Sequence, residues 1–379
     1  MANKEPERVA VSFAAIDPYI QQNIPTPTEK EIAGKNMVEW GDRNAYPDYL
    51  FQLAQTTPTL RSIITGTVDF ICGNGCALSR KLVDSYKEGQ LNTRGDTIAS
   101  QLREIAHDDV SLGGLALQVI RSRTGDVVEI YYIATRFLRS NKDNTVFYYS
   151  EKWKDSRRKV VEYPAFYPHT KESWAKLSEE EKDRNASSIL YVKNVSTHTY
   201  PVPVYCAAVK ACEIERNIDD FHLNSLENSF AASMIINFNN GVPSEEMKKE
   251  IEKNFNEKFS GHQNAGRICF SWNPDAKNQT TITSPKVEDF GARYDALAKH
   301  SRQQIFTAFR ANPNLFGIPT ENLGFSQEEY ESAFRLYNRT VVRPIQALIC
   351  DAYDKIFGET GVLTIVPFSL DDEAEKNVN

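Results

Sequence analysis

The sequence contains no apolar run near the ~18–20 residues that a membrane-crossing helix requires. It also lacks an excess of positive charge, with 44 Lys and Arg against 51 Asp and Glu for a net of −7. This argues against a protein that grips nucleic acid over a broad basic face, because such a grip rests on many phosphate contacts. It does not exclude one that handles nucleic acid without adhering to it. Cysteine is sparse, at six residues in 379. The opening residues carry Lys4, Glu5, Glu7 and Arg8, where an export signal has an apolar stretch. Reduced thiols in a cytosolic compartment are the expectation. No G-x-x-x-x-G-K-[S/T] occurs, so there is no phosphate-cradling P-loop, and no G-x-S-x-G elbow presents a nucleophile. Gly73 and Gly75 lack the third glycine and the following helix of a dinucleotide site. There is no internal repeat and no low-complexity block.

Three small clusters carry residue types used in metal or catalytic chemistry. Cys72 and Cys76 flank a turn, with no second Cys or His pair at metal-binding spacing, and read as packing thiols. His107-Asp108-Asp109 falls near an expected helix end and reads as a solvated cap. Pro274-Asp275-Ala276-Lys277 resembles the opening of a metal-dependent nuclease motif. Such a site needs a second acid and a lysine on a neighbouring strand to hold Mg²⁺ and orient water, and this segment reads as a loop. No catalytic residue, metal site or cofactor is expected.

What is present is ordinary globular composition, 41% hydrophobic and 25% charged, in a chain long enough for two or three domains. Residues 1–34 are polar with Pro18, Pro25 and Pro27, and read as an extended arm. Pro47 starts a helix carrying Leu50, Leu53 and Ala54, and a second helix covers Pro58 to Phe70. A third spans 96–107. Strands are predicted at 116–121, 127–133, 145–149, 160–166 and 189–195, forming one sheet of five or six strands, with a charged helical stretch at 170–185. The back half has longer periods. Nothing breaks a helix from Ala207 to Ile236. A compact insert follows, with helix 245–260 presenting Met247, Ile251, Phe255 and Phe259 at steps of four to strands 267–272 and 280–283. A second long helix covers 289–311. A third, 327–357, has the stripe Tyr330, Phe334, Tyr337, Val341, Ile345, Leu348, Ala352 and Ile356, with a kink predicted one turn before Pro344. A strand over 362–368 precedes an acidic tail.

Two features stand out. Glu213, Asn217, Asp220, Asn224 and Glu227 recur at steps of four and three, so acids and amides alone occupy one face of the first long helix. That face is either simply solvated or an acidic wall that repels a sliding polyanion. The second feature is the irregular stretch 312–326 between two long helices. Pro313, Gly317, Pro319 and Gly324 break regular structure there, while Phe316, Ile318, Leu323 and Phe325 are too apolar for a solvated linker. It is either a loop packed on its own subunit or one buried against neighbouring copies.

The order of parts and several local patterns resemble the portal proteins of tailed bacteriophages, the head-to-tail connectors of the capsid. Ile305-Phe306-x-Ala308-Phe309 leads into Leu315-Phe316-Gly317-Ile318-Pro319 and Leu323-Gly324. Upstream stand Trp40-Gly41-x-x-Asn44-x-Tyr46-Pro47-x-x-Leu50 and Ile71-x-Gly73-x-Gly75. The likeness covers roughly residues 38–370. It implies an α+β, portal-like fold, divided as follows: an N-terminal arm (1–37), an α/β wing (38–205), a stem helix (206–238), a small α+β clip (239–287), a second stem helix (288–311), a tunnel loop (312–326) and a kinked helix with a short acidic tail (327–379). It further implies a homo-oligomeric ring, of twelve subunits in portals of this kind, at one capsid vertex of the virion. Double-stranded DNA would pass through without sequence recognition. Terminase packaging motor, head–tail adaptor and major capsid protein would be the partners, with no membrane. The channel would be lined by Glu213, Asn217, Asp220, Asn224 and Glu227, and by Asn312, Asn314, Thr320, Glu321 and Asn322. Lys248, Lys249 and Lys253 would form a docking face on the clip. Another virion component, such as a head–tail adaptor, and a cytosolic metal-dependent nuclease are the alternatives.

Overall fold

The computed structural model describes residues 25–32, 34–79, 89–155, 157, 159–195, 197–227, 234–238, 244, 246–250, 268–272, 281–283, 290–318 and 327–369. The chain begins with an antiparallel hairpin of β1 (Glu29–Glu31) and β2 (Val38–Trp40), in register Glu29 to Trp40. This hairpin crosses the boundary expected at 37/38, so the end of the arm belongs to the folded body. The Glu29 carboxylate fixes it there, accepting from the Thr199 and Tyr200 backbone N–H groups at 3.0 and 2.9 Å.

The turn after β2 explains the Trp-Gly-x-x-Asn-x-Tyr-Pro pattern. Gly41 has φ 74°, and a Cβ there would lie 2.5 Å from the Tyr46 Cβ. Asn44, also left-handed at φ 61°, turns its side-chain oxygen inward. That oxygen accepts from the Trp40 N–H at 3.0 Å and from Arg139 Nε at 2.7 Å. Arg139 is fully buried and also donates to the Asn44 carbonyl at 2.8 Å, with its guanidinium 4.9 Å from the Trp153 ring centre. Trp40 stacks on Tyr200, ring centres 4.6 Å apart and planes 1° from parallel. The motif is thus a structural lock around a buried cation.

Helices α1 (Tyr46–Thr56) and α2 (Pro58–Cys72) each carry proline in the first turn, where no intrahelical N–H is lost. Strand β3 (Cys76–Leu78) follows. Helix α3 (Ile98–Leu112) starts on a reciprocal Thr97–Ser100 cap and runs five residues past the predicted end. Its inward face joins α1 and α2 in one core with Leu53, Leu60, Ile63 and Ile105 at its centre.

Strands β4 (Gly114–Arg121), β5 (Val127–Tyr132), β6 (Leu138–Ser140), β7 (Val146–Tyr149) and β8 (Val161–Pro164), helices α4 (Lys171–Ala175) and α5 (Glu179–Asn185), and strand β9 (Ser187–Lys193) complete the front half. The predicted strands exist, but not as one sheet. They form two antiparallel sheets, ordered β5-β4-β9 and β6-β7-β8, joined by a single parallel bridge between Ala165 and Ile189. The separation begins at Thr135, whose N–H is held at 2.6 Å by the Asp108 carboxylate, and the tight Thr135–Phe137 turn carries the chain away from β5.

Helix α6 (Val209–Glu227) is shorter than the 207–236 expected. Residues 234–236 belong instead to strand β10 (Met234–Phe238), the centre of a mixed sheet with β11 (Ile268–Trp272) parallel and β12 (Thr281–Thr283) antiparallel. No Gly or Pro marks the change. The run Met-Ile-Ile-Asn-Phe is β-branched and aromatic, and it pairs Ile236 with both Phe270 and Ile282, which decides for strand. Residues 246–250 are helical, and Met247, predicted to pack inward, is 56% exposed. Ile251, Phe255 and Phe259, the Asp275–Lys277 loop, and the acidic tail beyond Ser369 lie outside the described residues.

Helix α7 (Phe290–Phe309) runs antiparallel to α6: Arg302 sits 3.5 Å from Glu215, and Tyr294 rests against His222 with ring centres 5.8 Å apart. Helix α8 (Gln327–Tyr337) passes through a π-helical turn, Asn338–Val342, into α9 (Arg343–Phe357), whose first turn holds Pro344. The kink is where proline's missing N–H and its clash with the preceding turn put it. The π turn adds one residue, so the inward stripe moves from Tyr337 to Val342 and then Ile349. Val341, Ile345 and Leu348 are left half-buried. Strand β13 (Leu363–Ile365) pairs antiparallel with β3, closing the C-terminal part onto the front half. Among the described residues no helix is long and apolar enough to cross a membrane.

Candidate functional site

The five polar positions on α6 do not share one environment. Asn217 and Asp220 are exposed, as an open polar face requires. Glu213 is buried within the chain, ion-paired at 2.7 Å to Arg216 one turn on. It therefore leaves the stripe, because the base of α6 is covered by α1. The side chains of Asn224 and Glu227 lie outside the described residues.

The buried acid that matters at this end is Glu215, a residue that periodicity alone did not mark. One carboxylate oxygen accepts from Thr59 Oγ1 at 2.7 Å and meets Arg302 Nε at 3.5 Å, which ties the start of α2 to both long helices. Its other oxygen has no hydrogen-bond partner. Burial raises its pKa, opposed by Thr59 and Arg302. Arg302 of α7 thus meets an acid across the helices, and its partner is Glu215 rather than a residue of the polar stripe. In sequence, the signal was an acid flanked by apolar Ile214 and Ile218.

The segment after α7 is partly regular. Asn312 caps a short 3₁₀ turn, Pro313–Phe316, accepting the Asn314 N–H at 3.0 Å. Leu315 is buried, and Phe316 sits among Phe70, Phe306 and Tyr337 with ring centres 6.1, 6.1 and 5.7 Å away. Ile318 packs on the same core. Leu315 is therefore buried, and Phe316 and Ile318 half-buried, by their own subunit, which is the first of the two packings expected for this segment. Aromatic partners on three helices were not visible from the loop sequence. Asn312 is exposed and Asn314 half-buried. Thr320, Glu321, Asn322 and Leu323 lie outside the described residues. Of the predicted docking lysines, Lys249 is exposed, Lys248 half-exposed and Lys253 outside the described residues.

The acid pair on α3 is also unlike its prediction. Asp108 and Asp109 are buried, not solvated. Burial pushes Asp108 up to about 6, against the Thr135 and Tyr132 hydrogen bonds, and pushes Asp109, with Asp108 beside it, up to about 7. One Asp109 oxygen has no hydrogen-bond partner. Cys72 and Cys76 pack on the core, and burial lifts both thiols, Cys76 to about 11. Among the described residues, no group of three His, Cys, Asp or Glu side chains is placed to hold a metal ion.

Beside Asp108, a hollow of about 240 Å³ opens between α1, α3 and the stretch from Tyr132 to Arg136, and an adjoining one of about 250 Å³ opens between α1, α2 and α3. Phe51, Ala54 and His107 line both. Arg136 lies over the Phe51 ring at 4.0 Å, at one end.

This architecture has counterparts. The sequence model of the family described as phage portal protein matches residues 96–372. The chain belongs to the phage portal protein family. Its fold agrees with that of solved structures at 10–15% identity. The neck of an empty gene transfer agent (GTA) particle matches with a TM-score of 0.54 at 15% identity, over 86% of this chain and 85% of that one. A chain of the native gene transfer agent virion gives 0.52 at 15% identity, over 86% and 87%. An HK97-family phage portal protein from Corynebacterium diphtheriae gives 0.50 at 10% identity, over 86% and 96%. A curated relative, an uncharacterized protein of Rickettsia felis, is 25% identical over 201 residues, covering 51% of this chain and 50% of that protein. The match thus spans about half the length of that relative.

Proposed function

We propose that this portal-family chain assembles as a homo-oligomeric ring, twelve subunits being the expected number, at one vertex of a virion capsid. The ring acts as the conduit through which double-stranded DNA is packaged and ejected. The single observation that carries this reading is the family match over residues 96–372. In this reading residues up to about 205 form the wing, α6 and α7 the stem, the β10–β12 sheet and its helix the clip, and 312–326 the tunnel loop. The exposed Asn217 and Asp220, with Asn224 and Glu227, face the bore. Acids and amides there repel or only weakly touch phosphate, so DNA slides and is not held. Asn312, Asn314, Thr320, Glu321 and Asn322 line the narrowest passage. The clip, through Lys248, Lys249 and Lys253, meets the terminase motor during packaging and the head–tail adaptor afterwards, while the wing meets the major capsid protein. The net charge of −7 per subunit suits a conduit better than a clamp.

The experiment is direct. Purified protein viewed by negative stain should show rings with a central hole, and mass measurement should give the subunit number. A monodisperse 43.0 kDa species under all conditions would overturn the proposal.

A further inference from the structure

The groove between α1, α2 and α3 has an apolar floor, Phe51, Ala54, Ile64 and Val68, and a basic rim, Arg61, Arg103 and Arg136. Asp108 is the one carboxylate lining it, and that group is already taken by the Thr135 N–H. Three guanidiniums against one exposed carboxylate, Asp69, leave the rim net positive where it meets solvent. Arg103 holds one carboxylate already, Asp69 at 2.7 Å, in a pair whose two side chains are 61% and 49% exposed. Such an exposed pair exchanges partners at little cost.

The described chain ends close by. The Asn74 N–H donates to the Val366 carbonyl at 3.0 Å, and Phe368 packs against Phe70 with ring centres 5.2 Å apart. Both contacts are at the C-terminal end of α2, the helix that supplies Arg61, Ile64 and Val68 to the groove. The sequence after Ser369 reads Leu370-Asp371-Asp372-Glu373-Ala374-Glu375, and then Lys376-Asn377-Val378-Asn379. From Phe70 back to Arg61 is about 14 Å along the helix axis and half a turn around it, and the six residues from Ser369 to the last carboxylate, Glu375, span up to ~20 Å. Reach, charge and apolar content all match.

We propose that this acidic segment docks in cis along the groove of its own subunit, its carboxylates against Arg103, Arg61 and Arg136 and its flanking aliphatic side chains on the apolar floor. The proposal concerns the groove alone and stands apart from the channel reading.

The test uses the full chain with a benzophenone amino acid at exposed Thr65, which lines the groove. After irradiation, proteolysis and mass spectrometry should join the Thr65 peptide to residues 370–376, within a species of monomer mass. Arg61→Glu with Arg103→Glu should cut that adduct about fivefold or more. Both sites are exposed, and circular dichroism checks that the variant is folded. Adding Asp371→Lys, Asp372→Lys and Glu373→Lys to the same chain should restore the adduct. Absence of an adduct with this segment overturns the proposal, as does an adduct only in dimer-sized species, which would make a neighbouring copy the occupant. Failure of the charge swap to restore the adduct overturns it as well.

Discussion

Phe316 decides whether the segment after α7 is held by its own subunit. Phe316→Ala removes a half-buried ring from contact with Phe70, Phe306 and Tyr337. Full truncation of a buried phenylalanine costs ~3–5 kcal/mol. Partial exposure reduces that by about half, and losing three ring contacts restores some of it, since such pairs are worth ~0.5–1.5 kcal/mol each. The expected loss is ~2–3 kcal/mol. With a urea slope of ~3 kcal/mol per molar for a chain of this size, the midpoint should fall by ~0.7–1 M. The measurement is urea unfolding of dissociated protein followed by tryptophan fluorescence. Gly66→Ala supplies a second view, because a Cβ there would lie 2.8 Å from the Phe316 ring. Its penalty should shrink when combined with Phe316→Ala, since the clash partner is gone. The intra-subunit assignment is refuted if Phe316→Ala leaves the dissociated midpoint within ~0.2 M of wild type and the defect emerges only in assembled particles.

Four further outcomes are expected. Asn44→Ala removes the acceptor shared by the Trp40 N–H and the buried Arg139 and puts alanine at a left-handed position; ~3 kcal/mol of stability and a Tm lower by ~6–12 °C should follow by calorimetry. Asp109 has its carboxyl pushed up to about 7, so the folded state favours the protonated form, and its stabilisation, present below about pH 4, is lost as pH rises to about 7. Asp109→Asn should therefore flatten the fall in Tm between pH 4.5 and 8, and equal slopes for both proteins would count against the burial argument. Replacing Lys248, Lys249 and Lys253 by Glu should impair motor or adaptor binding in pull-down assays while rings still form; loss of rings would make that face a subunit contact. Replacing Thr320, Glu321 and Asn322 by Gly should leave rings intact but change DNA retention in packaged heads, and unchanged retention would remove the loop from the channel.

Elements with their own local chemistry were legible in the sequence. Pro47 and Pro58 announced α1 and α2, and Pro344 announced the kink one turn ahead of itself. Positions set by distant partners were not. The Met234–Phe238 run is compatible with helix by every local rule, and becomes strand because β11 and β12 are there to pair with it. Glu213 and Asp220 look alike on a helical wheel, yet α1 covers only the first. Asp108 reads as a cap until Thr135, 27 residues later, supplies the N–H that explains its burial. The inward stripe of the last helices was traced correctly at Phe334 and Tyr337 and again at Ala352 and Ile356, but missed Val342 and Ile349 between them, since a π turn leaves no mark in the spacing of apolar residues.

The antiparallel course of α6 and α7 has an implication for insertions and deletions. Glu215 faces Arg302, His222 faces Tyr294, and Ile236 pairs with Ile282, so the facing residue numbers add to 517, 516 and 518. Helix pair and strand pair therefore share one alignment, with spacers of equal length, 228–233 and 284–289, between them. The two arms behave as a single zipper whose teeth are counted from both sides. A residue added inside one helix shifts every contact beyond it unless the opposite helix gains one too. Length changes in relatives of this chain should accordingly occur in matched pairs across the two helices, or in the stretches between β10, β11 and β12, outside the paired residues.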